Sequence, residues 1–405
     1  MRQPEHKPRI AFFTETSQET LHSSLRILEE LSRFALVTVS LPGRAPSEAE
    51  SSPSDSALTL RYRRPYNDSF AGFLARLPAQ LVVAHKAIRE AVAEADLVIS
   101  RIPSPIAWMV DRASRRLGRP HLLYVIADIE TAAQAGAGGP RSPGRVLRRF
   151  AACVVRRQQH RLARDGVVIA IGDALASQYA PVTRRCETFY VSSVREEEIV
   201  PRTDTCLSER VELLHVGRLV PLKGTSDLLD ALRILRAAGR DVRLTIVGSG
   251  PERERLEQIS RTFGLTGAVA FLGTLPYDRE LFQIFRKADI FVHPSLSESF
   301  PRTLWEAMAA HAPIVATDVG DVGAVLREAS AGLVAPPQSG PALAEAISRI
   351  IDDPALRQSL MRNGGELIRD HTVERSAERL WNLLRTEIPQ SAQSSRHDPK
   401  PAQAR

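Results

Sequence analysis

The stretch Val211-Glu212-Leu213-Leu214-His215-Val216-Gly217-Arg218-Leu219 decides how the fold is read. It is a short, almost wholly apolar run that ends at a glycine and two residues later gives way to polar sequence. A helix is predicted next, over Asp227–Ala238, and a second apolar run over Leu244–Val247. The rhythm repeats through runs at Val269–Leu272, Ile290–His293, Ile314–Thr317 and Gly332–Ala335. Helical periodicity fills Pro251–Phe263, Glu280–Ala288, Arg302–Ala310 and Pro341–Asp352 between and after them. Fully apolar strands alternating with helices imply βαβ units and a parallel sheet covered on both faces.

Upstream the same alternation is present but noisier. Strands are expected at Ile10–Phe13, Ala35–Val39, Asp96–Ser100, His121–Ile126 and Val167–Ile171, with helices at Leu21–Arg33, Ala84–Ala95 and Ala107–Leu117. The Pro/Ser/Glu-rich Leu41–Asp55 and the Gly/Ala/Pro-rich Ala132–Pro143 read as loops. Charged sequence around Pro201 suits a linker. The expected organisation is an α/β protein of two doubly wound domains, 1–195 and 210–372, joined by 196–209. A helix over 373–389 and a tail over 390–405, poor in large apolar residues and read as disordered, complete it. A ligand is expected in the cleft between the domains, facing strand C-termini.

With 405 residues, 43% of them hydrophobic, the chain is long enough for two or three domains at about 100–200 residues each. The apolar residues are dispersed, and no run reaches the roughly 18 residues of a membrane span. The N-terminal apolar run is too short for a signal peptide. Cys153, Cys186 and Cys206 are too scattered for a disulfide framework or a Cys-x-x-Cys metal site, so a reducing cytoplasm fits.

Three places carry candidate chemistry. Gly217, Arg218, Lys223 and Gly224 follow the strand that opens this section. Two cations beside glycines suit an oxyanion or diphosphate, or else form a solvated basic loop. The second place is Pro294-Ser295-Leu296-Ser297-Glu298-Ser299-Phe300-Pro301-Arg302-Thr303-Leu304-Trp305-Glu306. Pro301 favours a helix start, whose free amides would form an anion site. Glu298 and Glu306 could accept hydrogen bonds from sugar hydroxyls; the alternative for Glu306, an exposed helical carboxylate, sits poorly with its apolar neighbours Trp305, Ala307 and Met308. The third, Gly248-Ser249-Gly250-Pro251, has Arg253 where a dinucleotide fingerprint needs its last glycine, and Pro251 gives it a structural reading as a helix start.

Taken in order, these motifs, with Phe271-Leu272-Gly273, Ala288-Asp289 and the Glu-(seven residues)-Glu spacing of Glu298 and Glu306, resemble the retaining, nucleotide-sugar-dependent glycosyltransferases of the GT-B type, glycosyl transferases group 1 or family four. The resemblance runs from Leu213 to about Pro336. It implies two Rossmann-like domains facing a central cleft. It also implies transfer of a sugar from a nucleoside diphosphate to a glycan or lipid-linked acceptor, with retention, in cell-surface polysaccharide or glycoconjugate biosynthesis. By the same resemblance Arg218 and Lys223 bind the donor diphosphate, Glu298 the donor sugar and Glu306 the ribose. Backbone at Ser299, Phe300, Thr303 and Leu304 caps sugar and phosphate, and Leu275 lies where the nucleobase rests.

The N-terminal half departs from the family. Thr14-Glu15-Thr16-Ser17-Gln18 stands where a Gly-Gly loop is common, and Ala127-Asp128 where many members have a histidine. Asp128 is the polar replacement and is counted with Glu298, Arg218 and Lys223 among the catalytic candidates. Segments at Asp96–Ser104, Arg119-Pro120 and Asp128 look like a polysaccharide-assembly branch. No Asp-x-Asp pair is present, and neither metal nor other cofactor is expected.

The formal net charge is +7, and eight arginines crowd Arg141 to Arg164. With Leu147, Phe150, Val154 and Leu162 at helical spacing, this segment is either a peripheral contact with the inner face of the cell membrane or a solvated helix packed on its own domain. No nucleic-acid-reading motif accompanies it. Two further functions share these motifs, a non-catalytic partner subunit and a nucleotide-sugar epimerase. Donor consumption with and without acceptor separates them from a transferase.

Overall fold

A computed structural model of the chain describes residues 7–14, 22–42, 58–63, 85–104, 106–126, 153, 155–164 and 166–389. They fall into two compact units. The first holds the residues up to Ile171, then Leu175–Phe189 and everything from Ala377 onward. The second holds Gly172–Ala174 and Tyr190–Ser376, so residues 196–209 count with it.

The first unit is built on a seven-stranded sheet ordered β3-β2-β1-β4-β5-β6-β7. Its strands are β1 (Arg9–Phe13), β2 (Leu36–Pro42), β3 (Leu58–Arg63), β4 (Leu97–Ile102), β5 (His121–Val125), β6 (Val167–Ile171) and β7 (Arg185–Phe189), all parallel. Leu41 and Pro42, expected in a loop, instead prolong β2 opposite Tyr62 and Arg63. Strands β3 and β7 are absent from the sequence reading. Both lie at edges, where one neighbour is missing and polar residues are tolerated, so Leu58–Arg63 carries two arginines and Arg185–Phe189 is only half-buried. The part of the helix Val373–Glu387 from Ala377 onward closes this unit. Trp381 stacks on Phe34 with ring centroids 5.8 Å apart, and Glu387 accepts a hydrogen bond from Arg184 at 2.5 Å.

The second unit has a six-stranded parallel sheet ordered β10-β9-β8-β11-β12-β13. The strands are β8 (Val211–Val216), β9 (Val242–Val247), β10 (Val269–Gly273), β11 (Ile290–His293), β12 (Ile314–Thr317) and β13 (Leu333–Ala335). This is the doubly wound order in which the chain reverses direction between β8 and β11, and the gap beyond their C-terminal ends is where such sheets bind ligands. Every residue of β11 and β12 is buried, because helices cover both faces.

The helix Arg302–Ala309 follows β11. It is backed by Pro354–Arg369, which the spacing does not predict. Glycines inside a helix weaken it in isolation. In the fold they allow close packing: a Cβ at Gly364 would lie 3.3 Å from Met308 Cγ, and one at Gly365 would overlap the His311 ring.

Asp128, the loop Ala132–Pro143, the residues of Thr14–Gln18 beyond Thr14, and Arg141, Arg145, Arg148 and Arg149 lie outside the described residues, as does 390–405. Of the basic segment, residues 155–163 are helical. Leu162 and Ala163 pack on the first unit's core, while Arg157, Arg161 and Arg164 are exposed.

Candidate functional site

The β8–β11 reversal brings two loops together. Strand β8 leads into Gly217-Arg218-Leu219 and a short turn at Pro221–Lys223; β11 leads into Pro294–Phe300. The Leu296 amide donates to the Leu222 carbonyl at 2.8 Å and joins the loops through their backbones. Gly224 permits this approach. Its φ is +61°, and a Cβ there would overlap the carbonyl oxygen of Pro294.

The glycines of Gly248-Ser249-Gly250 have a related structural role. A Cβ at Gly248 would overlap the Gly217 carbonyl, and the Leu219 amide donates to the Ser249 carbonyl at 2.9 Å. They seat the loop that carries Arg218.

Lys223 and Glu298, 75 residues apart, form an ion pair between Lys223 Nζ and Glu298 Oε1. Ser295 Oγ also donates to Oε1, at 3.0 Å. His293 Nε2 lies 3.3 Å from the same oxygen without forming a hydrogen bond to it. Burial pushes the Glu298 carboxyl up, while the His293 imidazole and the Lys223 ammonium pull it down. The net effect holds it below the usual carboxylate range. Thr317, at the end of β12, pins this loop from behind by donating to the Ser295 carbonyl. The Asp321 amide holds the Ser299 carbonyl at 2.9 Å.

Arg218 is exposed and Lys223 half-buried, so two cations flank the end of β8. The helix begins at Arg302 rather than at Pro301, which is its N-cap and supplies no side-chain hydrogen bond. In its first turn, Thr303 Oγ1 is buried and hydrogen-bonds to no described residue. An uncapped helix end with a free hydroxyl, following the loop whose Glu298 pairs with Lys223, can hold an oxyanion. Glu306, one turn in, is buried at 4% exposure beside Trp305, Ala307 and Met308, and is not an exposed helical carboxylate. Phe300 packs against Trp305 with centroids 4.8 Å apart, and Leu275 is half-buried against the same core. The loop after β11 and the first turns of its helix carry Glu298, Ser299, Phe300, Thr303, Leu304 and Glu306, while Gly217, Arg218 and Lys223 follow β8. Asp128 is not among the described residues.

The sequence reading passes over two buried histidines. His215 and His293 close the apolar runs of β8 and β11, with rings 6.4 Å apart. A histidine at the end of an apolar strand on both sides of the reversal is the signal that marks them. His215 Nδ1 faces the Val292 carbonyl at 3.1 Å and must carry the proton, because a carbonyl only accepts. Thr225 Oγ1 then lies 3.4 Å from Nε2 as the donor. Burial, followed by the His293 imidazole, pushes His215 down to about 3.

In the unfolded chain His215 protonates near 6.5. Between 6.5 and about 3 the unfolded state therefore binds the extra proton, and stability falls as the pH drops. The expected slope is about 1.4 kcal/mol per pH unit. Urea unfolding at pH 6.5 and pH 5 should give a loss about 1.6 kcal/mol larger in wild type than in His215→Gln. Equal losses in the two proteins would mean that His215 titrates in the fold as it does in the unfolded chain.

Residues 205–367 match the family described as glycosyl transferases group 1. The chain is 32% identical over 161 residues to alpha-D-kanosaminyltransferase of Streptomyces kanamyceticus, covering 40% of this chain and 42% of that protein. It is 30% identical over 279 residues to the D-inositol 3-phosphate glycosyltransferase of Acidothermus cellulolyticus, covering 62% and 58%. It thus spans under half the length of the first relative and under two thirds of the second.

Among solved structures, sucrose-phosphate synthase from Thermosynechococcus elongatus superposes with a TM-score of 0.70 at 20% identity, over 94% of this chain and 99% of that one. HepE of Anabaena, in complex with UDP and glucose, gives 0.70 at 19% identity, over 94% and 100%. These likenesses establish the fold as that of the GT-B proteins.

Proposed function

We propose, because residues 205–367 match the family described as glycosyl transferases group 1, that the chain transfers a sugar from a nucleoside-diphosphate sugar to a glycan or lipid-linked acceptor, with retention at the anomeric carbon. The supporting observation is the convergence, at the β8–β11 reversal, of Arg218, the Lys223–Glu298 pair and an uncapped helix end. Breaking a glycosyl–phosphate bond leaves negative charge on the departing diphosphate. Fixed cations and backbone amides that need no reorganisation are the groups that stabilise it. In this reading Arg218, Lys223 and the amides near Thr303 hold the diphosphate, and Glu298 accepts hydrogen bonds from donor-sugar hydroxyls. Glu306 takes the ribose and Leu275 lies under the base. Gly217 gives the phosphates room, and Ser299, Phe300 and Leu304 cap sugar and phosphate.

Asp128 is proposed as a polar contact from the N-terminal half. The exposed arginines near Arg157–Arg164 are proposed to continue a peripheral membrane contact that would bring a lipid-linked acceptor to the enzyme. Cell-surface polysaccharide or glycoconjugate assembly is the proposed setting.

The test is a thermal-shift and titration screen of UDP, GDP and ADP and their sugars. At least one should bind, and Arg218→Ala should weaken it about 10- to 150-fold, the equivalent of roughly 1.5–3 kcal/mol for a charge-assisted hydrogen bond. Failure of all three nucleotides removes the proposal. Donor conversion without an acceptor would instead identify an epimerase.

Since protein groups are assigned to the diphosphate, transfer is expected to continue in EDTA at near its initial rate. Loss of activity on chelation, restored by magnesium or manganese, would contradict that assignment.

A further inference from the structure

His293 has no assigned part in the proposed chemistry, although its position is unusual. The residue is 1% exposed, and neither ring nitrogen makes a hydrogen bond to any described residue. Nε2 is nonetheless 3.3 Å from Glu298 Oε1, the oxygen that pairs with Lys223. The charged and titratable groups facing the ring are Glu298, Lys223 and His215. Burial disfavours the imidazolium and Glu298 favours it, while Lys223 opposes it.

One ammonium cannot serve two anions equally. If a diphosphate draws Lys223 Nζ onto its oxygens, Glu298 is left as a largely buried carboxylate without its cation, which is costly. Imidazole is the side chain whose ordinary protonation range lies closest to neutrality. His293 Nε2 is already within 3.3 Å of the orphaned oxygen.

We propose that His293 is a positioning residue for Glu298, taking up one proton as a bound diphosphate draws Lys223 from the carboxylate. The proton comes from the buffer and rests on the imidazole, with Nε2–H donating to Oε1. Glu298 then stays ionised and fixed in place while Lys223 serves the phosphate. The inference rests on the reading of Lys223 as a diphosphate ligand.

Calorimetric titration of the full chain with UDP, GDP and ADP, each in PIPES and in Tris at pH 7, reads the proton balance. Wild type should take up about half to one proton more per nucleotide than His293→Gln, since the nucleotide's own phosphate protonation is common to both. Equal uptake in the two proteins overturns the inference.

A second measurement needs no nucleotide. NMR titration of the His293 ring should show it protonating at higher pH in Lys223→Ala than in wild type. An unchanged or lower titration overturns the inference, even if His293→Gln does not fold. Should no nucleotide bind, the diphosphate reading fails, while the Lys223→Ala titration still decides whether His293 answers to Lys223.

Discussion

Glu298→Gln is expected to lower turnover by about 10²–10³ while nucleoside diphosphate still binds, as for loss of a preorganised group that acts on the reacting centre. The pairing with Lys223 sharpens this expectation. In the free protein, Glu298 competes with phosphate for the ammonium, and glutamine does not. Nucleotide affinity of the variant should therefore equal or exceed that of wild type. Glu306→Gln should behave in the opposite way. Its carboxylate is assigned to the ribose, which is present in substrate and product alike, so its loss removes uniform binding and weakens free nucleotide and intact donor together. Nucleotide titration of both variants, with single-turnover transfer, separates the two roles. Abolished nucleotide binding in Glu298→Gln with normal binding in Glu306→Gln would reverse the assignment.

Gly224→Ala should destabilise the second unit and disable the site at once. The residue has φ +61°, and a Cβ would overlap the Pro294 carbonyl, so the two loops joined by the Leu296–Leu222 hydrogen bond would have to part. Gly239 is the matched control, because its φ is +82° with nothing within 4 Å of a Cβ. Gly239→Ala should cost about 1 kcal/mol for the left-handed backbone alone. Gly224→Ala should exceed that by about 1–3 kcal/mol, as overpacking does in a close-packed site, and nucleotide binding should fail with it. Denaturant midpoints of the two variants measure the difference. If they match, the approach to Pro294 is not a constraint.

The second sheet was open to reading because its strands are buried on both faces and so show as unbroken apolar runs, as in Ile290–His293 and Ile314–Thr317. The edge strands Leu58–Arg63 and Arg185–Phe189 lack that property, since an edge needs less burial and keeps its charges. Helix Pro354–Arg369 was hidden by Gly364 and Gly365, which weaken a helix in isolation and improve its packing here.

At the site, Arg218, Lys223 and Glu298 were legible because each directly follows a readable strand. Their mutual geometry was not. Spacing along the chain says nothing of the distance between two loops 75 residues apart, so the Lys223–Glu298 pair is not legible in it. Burial of Glu306, by contrast, is signalled by its apolar neighbours Trp305, Ala307 and Met308.

The closing helix has a consequence for the order of events during synthesis. A ribosome releases the chain from its N-terminus, and domains fold as units when their residues have emerged. Except for Gly172–Ala174, the second unit is one continuous stretch, and it is complete once Ser376 is out. The first unit begins earlier but still lacks the helix that brings Trp381 to Phe34, Arg379 to Phe189 and Glu387 to Arg184. The half of the protein made first is therefore the half that finishes folding last. Nascent chains stalled at the point where Ser376 has just emerged from the exit tunnel should hold a protease-resistant second unit and a first unit that is still cleaved.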